Sequence, residues 1–280
     1  MKRILTIQDI SCIGKCSVTA ALPILSAMGI ETTILPTALL SSHTAFSDFT
    51  FLDLTAQMPS ITAQWQQQGI TFDAIYTGYL GSVEQIAIVE EIIAQFKKPD
   101  TIVFVDPVFG DSGKLYSGLS PEYPQYMKHL CRCADVIVPN MTEAAWLLGI
   151  PYIEQDYDDA YIRRILQQLS VGGAKMVILT GVSFAQSEVG FMGYDAARDQ
   201  YFSYFHKRFP QQFHGTGDVF ASTCVGGLLR GMSLEQAARL AEDFTLESIR
   251  ETAQAEDARW YGVHYETAFP YLFRRLFPGF

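Results

Sequence analysis

A nine-residue stretch after residue 213 carries the residue types that phosphoryl transfer needs. His214-Gly215-Thr216-Gly217-Asp218-Val219-Phe220-Ala221-Ser222 is a glycine-flanked turn that opens an apolar helix. Two glycines let a backbone approach a ligand closely, and the first-turn N–H groups of a helix point at whatever anion sits there. Asp218 stands beside such an anion hole, where it could accept a proton from an attacking hydroxyl as phosphate transfers. A carboxylate near a helix N-terminus is a weakened base, but a loose transition state needs little early proton removal. Taken alone, the stretch fits equally well a plain helix start with Asp218 favouring the dipole.

Other routes to the same chemistry are closed. The Gly14-Lys15 pair is followed by Cys16 and lacks the upstream glycine of a Walker A loop, and no G-x-G-x-x-G or protein-kinase signature set occurs. The formal charge of −10 and pI near 4.9 oppose a nucleic-acid role, which rests on Lys and Arg against phosphates. An acidic chain that holds triphosphate must instead supply backbone N–H groups and a metal ion. Five cysteines do not make a disulfide framework, and Cys12-x3-Cys16 and Cys131-Arg-Cys133 lack a matching second ligand pair, so structural thiols in a reducing cytoplasm are expected. Residues 1–10 are too short and polar for a signal peptide, and no apolar run is long enough to span a membrane.

The elements that must position this turn alternate along the chain. Strand-like runs at 3–7, 32–35, 74–76, 101–105, 135–138 and 175–179 are interleaved with helical stretches at 18–28, 83–96 and 161–169. Apolar, β-branched strands separated by helices predict an α/β fold with a mostly parallel sheet and helices on both faces. Extended stretches at 188–193 and 201–205 lack an intervening helix and predict an antiparallel hairpin at the sheet edge. Beyond Gly215 the chain reads as helices over 221–229 and 234–249 with Gly231 between them, and the aromatic stretch from Trp260 to Phe280 as helix packing. With 280 residues and no linker or repeat, one domain over 1–280 is expected. Ligands of open α/β sheets lie beyond the carboxyl ends of strands, on the following loops.

Those loops carry a family resemblance. Gly215-Thr216-Gly217-Asp218 resembles the anion-hole and base motif of the ribokinase superfamily. Ile7-Gln8, Ser41-Ser42-His43-Thr44, Thr77-Gly78-Tyr79-Leu80-Gly81-Ser82, Asp106-Pro107-Val108-Phe109-Gly110-Asp111 and Pro139-Asn140-Met141-Thr142-Glu143 look like its vitamin B6 kinase branch, in the expected order and over nearly the whole chain. The resemblance implies a ribokinase-like three-layer sandwich that transfers phosphate from ATP to the hydroxymethyl group of a B6 vitamer. It makes Asp218 the base and Gly215, Thr216 and Gly217 the hole for the migrating phosphoryl group. It gives Asp106, Asp111, Asn140, Glu143, Thr180 and Thr216 to ATP, and Asp106 with Glu143 to magnesium, directly or through water. It sets His43, Thr44 and Tyr79 against the pyridine ring, Tyr79 by stacking and Thr44 by a hydrogen bond to the ring hydroxyl. A homodimer is implied, and a monovalent cation such as potassium is left open. The hairpin could border the nucleotide or help pair two copies.

Two positions depart from the pattern: Asp9 stands where these kinases usually place serine near the ring nitrogen, and Leu40 replaces a usual aromatic residue. Asp9 is expected to favour a protonated ring nitrogen or a cationic substituent, because an opposite charge at close range stabilises the charged form. Two other readings stay open. A hydroxymethylpyrimidine kinase would use a similar scaffold, though relatives with that specificity often carry cysteine where Asp218 stands, and a non-catalytic vitamer or nucleotide sensor would not need the base.

Overall fold

The computed structural model describes residues 1–211 and 213–279. Phe280, the end of the aromatic stretch, lies outside them. The chain gathers into two compact units, Met1–Ala74 with Gln211–Phe280 (unit 1) and Ile75–Pro210 (unit 2).

Unit 1 opens with strand β1 (Arg3–Ser11), helix α1 (Val18–Ala27), strand β2 (Glu31–Leu40), the short strand β3 (Phe51–Asp53) and helix α2 (Met58–Gln67). β1 is buried almost throughout and pairs in parallel with β2, Arg3 opposite Glu31. The register slips by one residue between Gln8 and Ile10, at Asp9. Irregularities of this kind re-aim a side chain and recur beside functional sites. α1 buries Val18, Ala21, Ile24 and Leu25 on one helical face.

Unit 2 holds strand β4 (Ala74–Thr77), helix α3 (Val83–Phe96), strand β5 (Ile102–Val105), the two-residue strands β6 (Gly110–Asp111) and β7 (Lys114–Leu115), and helix α4 (Tyr123–Cys133). Strand β8 (Val136–Ile137), helices α5 (Met141–Leu148) and α6 (Asp159–Val171), and strands β9 (Met176–Val182), β10 (Glu188–Asp195) and β11 (Gln200–Lys207) complete it. Its sheet runs β4-β5-β8-β9-β10-β11. β8 is parallel to both β5 and β9, whereas β10 is antiparallel to β9 and to β11. The edge hairpin is therefore present, Glu188 opposite Lys207. α3 starts where Ser82 accepts a hydrogen bond from the Gln85 amide at 3.2 Å and buries Ile86, Val89, Ile92 and Ile93.

The chain returns to unit 1 through helices α7 (Thr216–Leu229), α8 (Leu234–Gln254) and α9 (Tyr265–Leu276). α7 is buried from Val219 to Gly227, its small residues Ala221, Gly226 and Gly227 allowing close helix packing. Gly231, with φ 85°, ends it, and Ser233 with Gln236 form a reciprocal capping box at the start of α8. The α/β expectation, the mostly parallel strands and the helices at 18–28, 83–96 and 161–169 are all met within a few residues. The reading of 260–280 as helix packing holds for α9 alone, because Trp260 and Tyr261 stand in a turn before it.

Candidate active site

In unit 1 the loop from β1 and the start of α7 meet at backbone distance. Gly215, the N-cap of α7, has φ 79°. A Cβ there would lie 2.1 Å from the Lys15 carbonyl oxygen, so only glycine fits both the conformation and the space. The amides of Thr216, Gly217 and Asp218 are first-turn donors without partners in the helix ladder, and a Cβ on the exposed Gly217 would meet nothing within 4 Å. The open helix start can receive an anion.

Asp218 occupies the third position of α7. Burial pushes its carboxyl up to about 7, opposed by a backbone hydrogen bond from Ser17 and reinforced by the nearby charge of Asp9. A carboxylate in that range can accept a proton near neutral pH. Asp9 is 4% exposed, accepts a hydrogen bond from Ser11 Oγ at 2.8 Å on Oδ2, and is likewise raised by burial. A negative charge on Asp9 thus disfavours the ionised form of Asp218.

His43 is buried, and its ring nitrogens are both engaged by backbone. Nδ1 accepts from the Ala45 amide at 3.1 Å, so the proton sits on Nε2, which donates to the Tyr261 carbonyl at 3.0 Å. Burial lowers its pKa, which keeps the ring neutral. Phe46, His214 and Trp260 surround it with centroids 5.0, 5.3 and 5.9 Å away. What His43 can present to a ligand is thus a ring face or edge. Thr44, beside it, is exposed.

Unit 2 collects the other expected residues where three neighbouring parallel strands end. Asp106 follows β5 and is 8% exposed, its amide donating to the Thr77 carbonyl at 3.0 Å. Asn140 follows β8 and caps α5, and Thr180 ends the buried run of β9 and bridges to Asn140. This is the position at which open α/β sheets bind ligands. Glu143 is 2% exposed, with Oε2 accepting from the Asn140 amide and Oε1 from the Phe109 amide, both at 2.9 Å. Burial nevertheless raises its pKa. The Asn140 side chain accepts from the Glu143 amide at 2.9 Å and donates to the Gly110 carbonyl at 2.8 Å. Asp111 is exposed and turns back on the Ser112 amide. Tyr79, in the loop after β4, is half-buried.

These carboxylates and carbonyls are hard oxygen donors, suited to a magnesium ion that keeps waters and takes one or two protein carboxylates. No group of three or more His, Cys, Asp or Glu fit to enclose a metal occurs among the described residues. An ion completed by phosphates and water is compatible with that. Glu143, already holding two amides, is better placed to act through water than by direct ligation.

A family model described as phosphomethylpyrimidine kinase matches residues 14–262. The chain belongs to this family. Among solved structures, a protein of Bacteroides thetaiotaomicron assigned as a phosphomethylpyrimidine kinase and crystallised with pyridoxal is 40% identical, covers 97% of this chain and 95% of its own, and superposes with a TM-score of 0.93. A pyridoxal kinase of Lactobacillus plantarum is 31% identical over 98% of both chains, with a TM-score of 0.89. A pyridoxine/pyridoxal/pyridoxamine kinase of Bordetella avium is 28% identical over 270 residues, 91% of this chain and 87% of its own. The expected kinship with ribokinase-like vitamin B6 kinases is met.

Reasoning from the sequence missed Ser11 and Ser17, which serve the two carboxylates, and the Tyr261 carbonyl, which orients His43. It also missed the Phe109 amide on Glu143. Three of these act through the main chain or an unusual backbone, and residue type alone does not announce them.

Proposed function

We propose that the protein is an ATP-dependent kinase that phosphorylates the 5′-hydroxymethyl group of a vitamin B6 vitamer. The observation that carries this reading is Asp218, a carboxylate raised to about 7 in the first turn of a helix whose start is open to an anion. The pyridoxal and pyridoxal kinase named for the two solved relatives support the choice of ring.

In this reading Asp218 takes the proton of the acceptor hydroxyl as it attacks the γ-phosphorus of ATP, and the amides of Gly215, Thr216 and Gly217 stabilise the charge spreading over the migrating phosphoryl group. Asn140, Thr180 and Asp111 serve the nucleotide phosphates. Magnesium, held by Asp106 and through water by Glu143, supplies charge neutralisation on those phosphates when bound. His43, Thr44 and Tyr79 line up the ring, and Asp9 faces its nitrogen or a cationic substituent. The whole chain acts as one ribokinase-like domain, in a cytoplasmic homodimer; no helix among the described residues is long and apolar enough to cross a membrane. Because the base works only when ionised, kcat/KM should rise with pH through about 7.

The family model's description keeps a second acceptor in play, the hydroxymethylpyrimidine of thiamine synthesis. Release of ADP from ATP and magnesium against pyridoxal, pyridoxine, pyridoxamine and hydroxymethylpyrimidine, with Asp218→Asn as blank, separates these. Turnover of a B6 vitamer is the expected result. Turnover of hydroxymethylpyrimidine alone transfers the reading to that ring, and binding without any turnover makes the protein a sensor. Sedimentation as a monomer would refute the dimer.

A further inference from the structure

Trp260 stands in the connection between α8 and α9, and the backbone just beyond it is fastened at three points. The Tyr261 carbonyl accepts from His43 Nε2 at 3.0 Å. Gly262 runs so close to the Lys15 side chain that a Cβ there would lie 2.5 Å from it. The His264 amide donates to Thr252 Oγ1 at 2.7 Å. The indole itself is braced by four rings of unit 1. Phe46 packs on it at 4.5 Å, and His43, His214 and Tyr261 meet it nearly at right angles, 76° to 82°, with centroids 5.9 to 6.0 Å away. Near-perpendicular contacts of this kind are favourable and fix a ring's orientation.

Trp260 is nevertheless 57% exposed. An aromatic side chain of the core is held in place by being covered, whereas this one is held in place and left uncovered. Single exposed apolar side chains need no explanation, but a ring set in one orientation by four others presents a prepared surface. Its position gives that surface a use. Of the bracing rings, His43 belongs to the expected acceptor site and His214 directly precedes Gly215, the N-cap of the open start of α7.

We propose that Trp260 is a further acceptor-binding residue, whose open indole face is the platform on which the acceptor ring stacks, selecting for an electron-poor heteroaromatic ring. The identity of the ring rests on the proposed kinase function. An indole face is electron-rich, so it gains most from a ring depleted of electrons, and a protonated pyridine is the extreme case. The purine of the nucleotide is the other flat ring in the reaction. In an in-line transfer the acceptor hydroxyl and the leaving nucleotide lie on opposite sides of the migrating phosphoryl group, and the platform lies on the side of His43.

Calorimetric titration of pyridoxine, and separately of ATP with magnesium, into wild type, Trp260→Leu and Trp260→Phe tests this without turnover. Trp260→Leu, which keeps apolar bulk but has no ring, should weaken pyridoxine binding roughly tenfold, and Trp260→Phe should stay within roughly threefold of wild type. ATP binding, the melting temperature and the sedimentation coefficient should not move. KM for the vitamer should rise in step in Trp260→Leu, with kcat retained. Wild-type affinity in Trp260→Leu would overturn the proposal. So would a loss confined to ATP, which would give the platform to the purine, or a changed sedimentation coefficient with unchanged pyridoxine affinity, which would give the indole to a contact between subunits. An equal loss in both variants together with a lowered melting temperature would overturn it too, making Trp260 a packing residue. Pyridoxine binding to wild type without turnover sinks the kinase reading while the affinities still decide the platform. Turnover that Trp260→Leu matches does the reverse. A wild-type protein that binds no vitamer overturns the platform outright.

Discussion

Glu143 in unit 2 and Asp218 in unit 1 hold the same place, third residue of their helices, and burial raises the pKa of both. Their N-caps differ. At α5 the N-cap is Asn140, which takes the Glu143 amide and receives the Glu143 carboxylate on its own, closing a capping box. At α7 the N-cap is Gly215, which has no side chain to give, and the helix start stays open. A closed box spends its carboxylate on the scaffold and anchors the loop through Phe109. An open one leaves donors for a ligand and a carboxylate for a proton.

The contrast breaks most sharply at Asp218. Asp218→Asn should lower kcat about 10²–10⁴-fold with little change in ATP affinity, measured by steady-state kinetics and nucleotide titration. The counterpart at Glu143 should read as stability. Glu143→Ala orphans two buried amides and should cost about 2–4 kcal/mol in denaturant unfolding, with Glu143→Gln losing less because one oxygen still accepts. A shifted magnesium requirement in Glu143→Gln would add a metal role to the scaffold one. Gly215→Ala should cost about 2 kcal/mol, since it combines a left-handed backbone with a Cβ against the Lys15 carbonyl, and should reduce kcat/KM alongside. The smallest effect is expected from Asn140→Ala, about 1 kcal/mol of lost cap, read from the melting temperature. Should Glu143→Ala lose only turnover and Asp218→Asn only stability, the two helix starts have been assigned the wrong way round.

What could be read in the sequence was whatever residue type and spacing express directly. α3 follows from its apolar period over Val83–Phe96 behind Ser82, and the hairpin from two extended runs without a helix between them. α5 escaped because its eight residues, Met-Thr-Glu-Ala-Ala-Trp-Leu-Leu, are too few to show a period and are buried nearly all round. β6 and β7 are two residues each, below any pattern length. At the site, Asp218 was legible because glycines flank it. The Ser17 amide that opposes the upward shift of Asp218 was not, because a main-chain donor has no residue type. The support of His43 comes from a carbonyl 218 residues away, and a carbonyl has no sequence signature.

Trp260 adds something of a different kind. It is 57% exposed, yet its ring packs on Phe46 at 4.5 Å and stands near His43 and His214. An indole's emission responds to the polarity and the ring systems around it, so the wall beside His43 carries its own lamp. Trp65 lies in α2 and Trp146 in unit 2, and Trp260→Phe removes the one beside His43. The wild-type minus Trp260→Phe difference spectrum then isolates a signal from that wall, and ring binding there can be followed by light, without labels and before any phosphate moves.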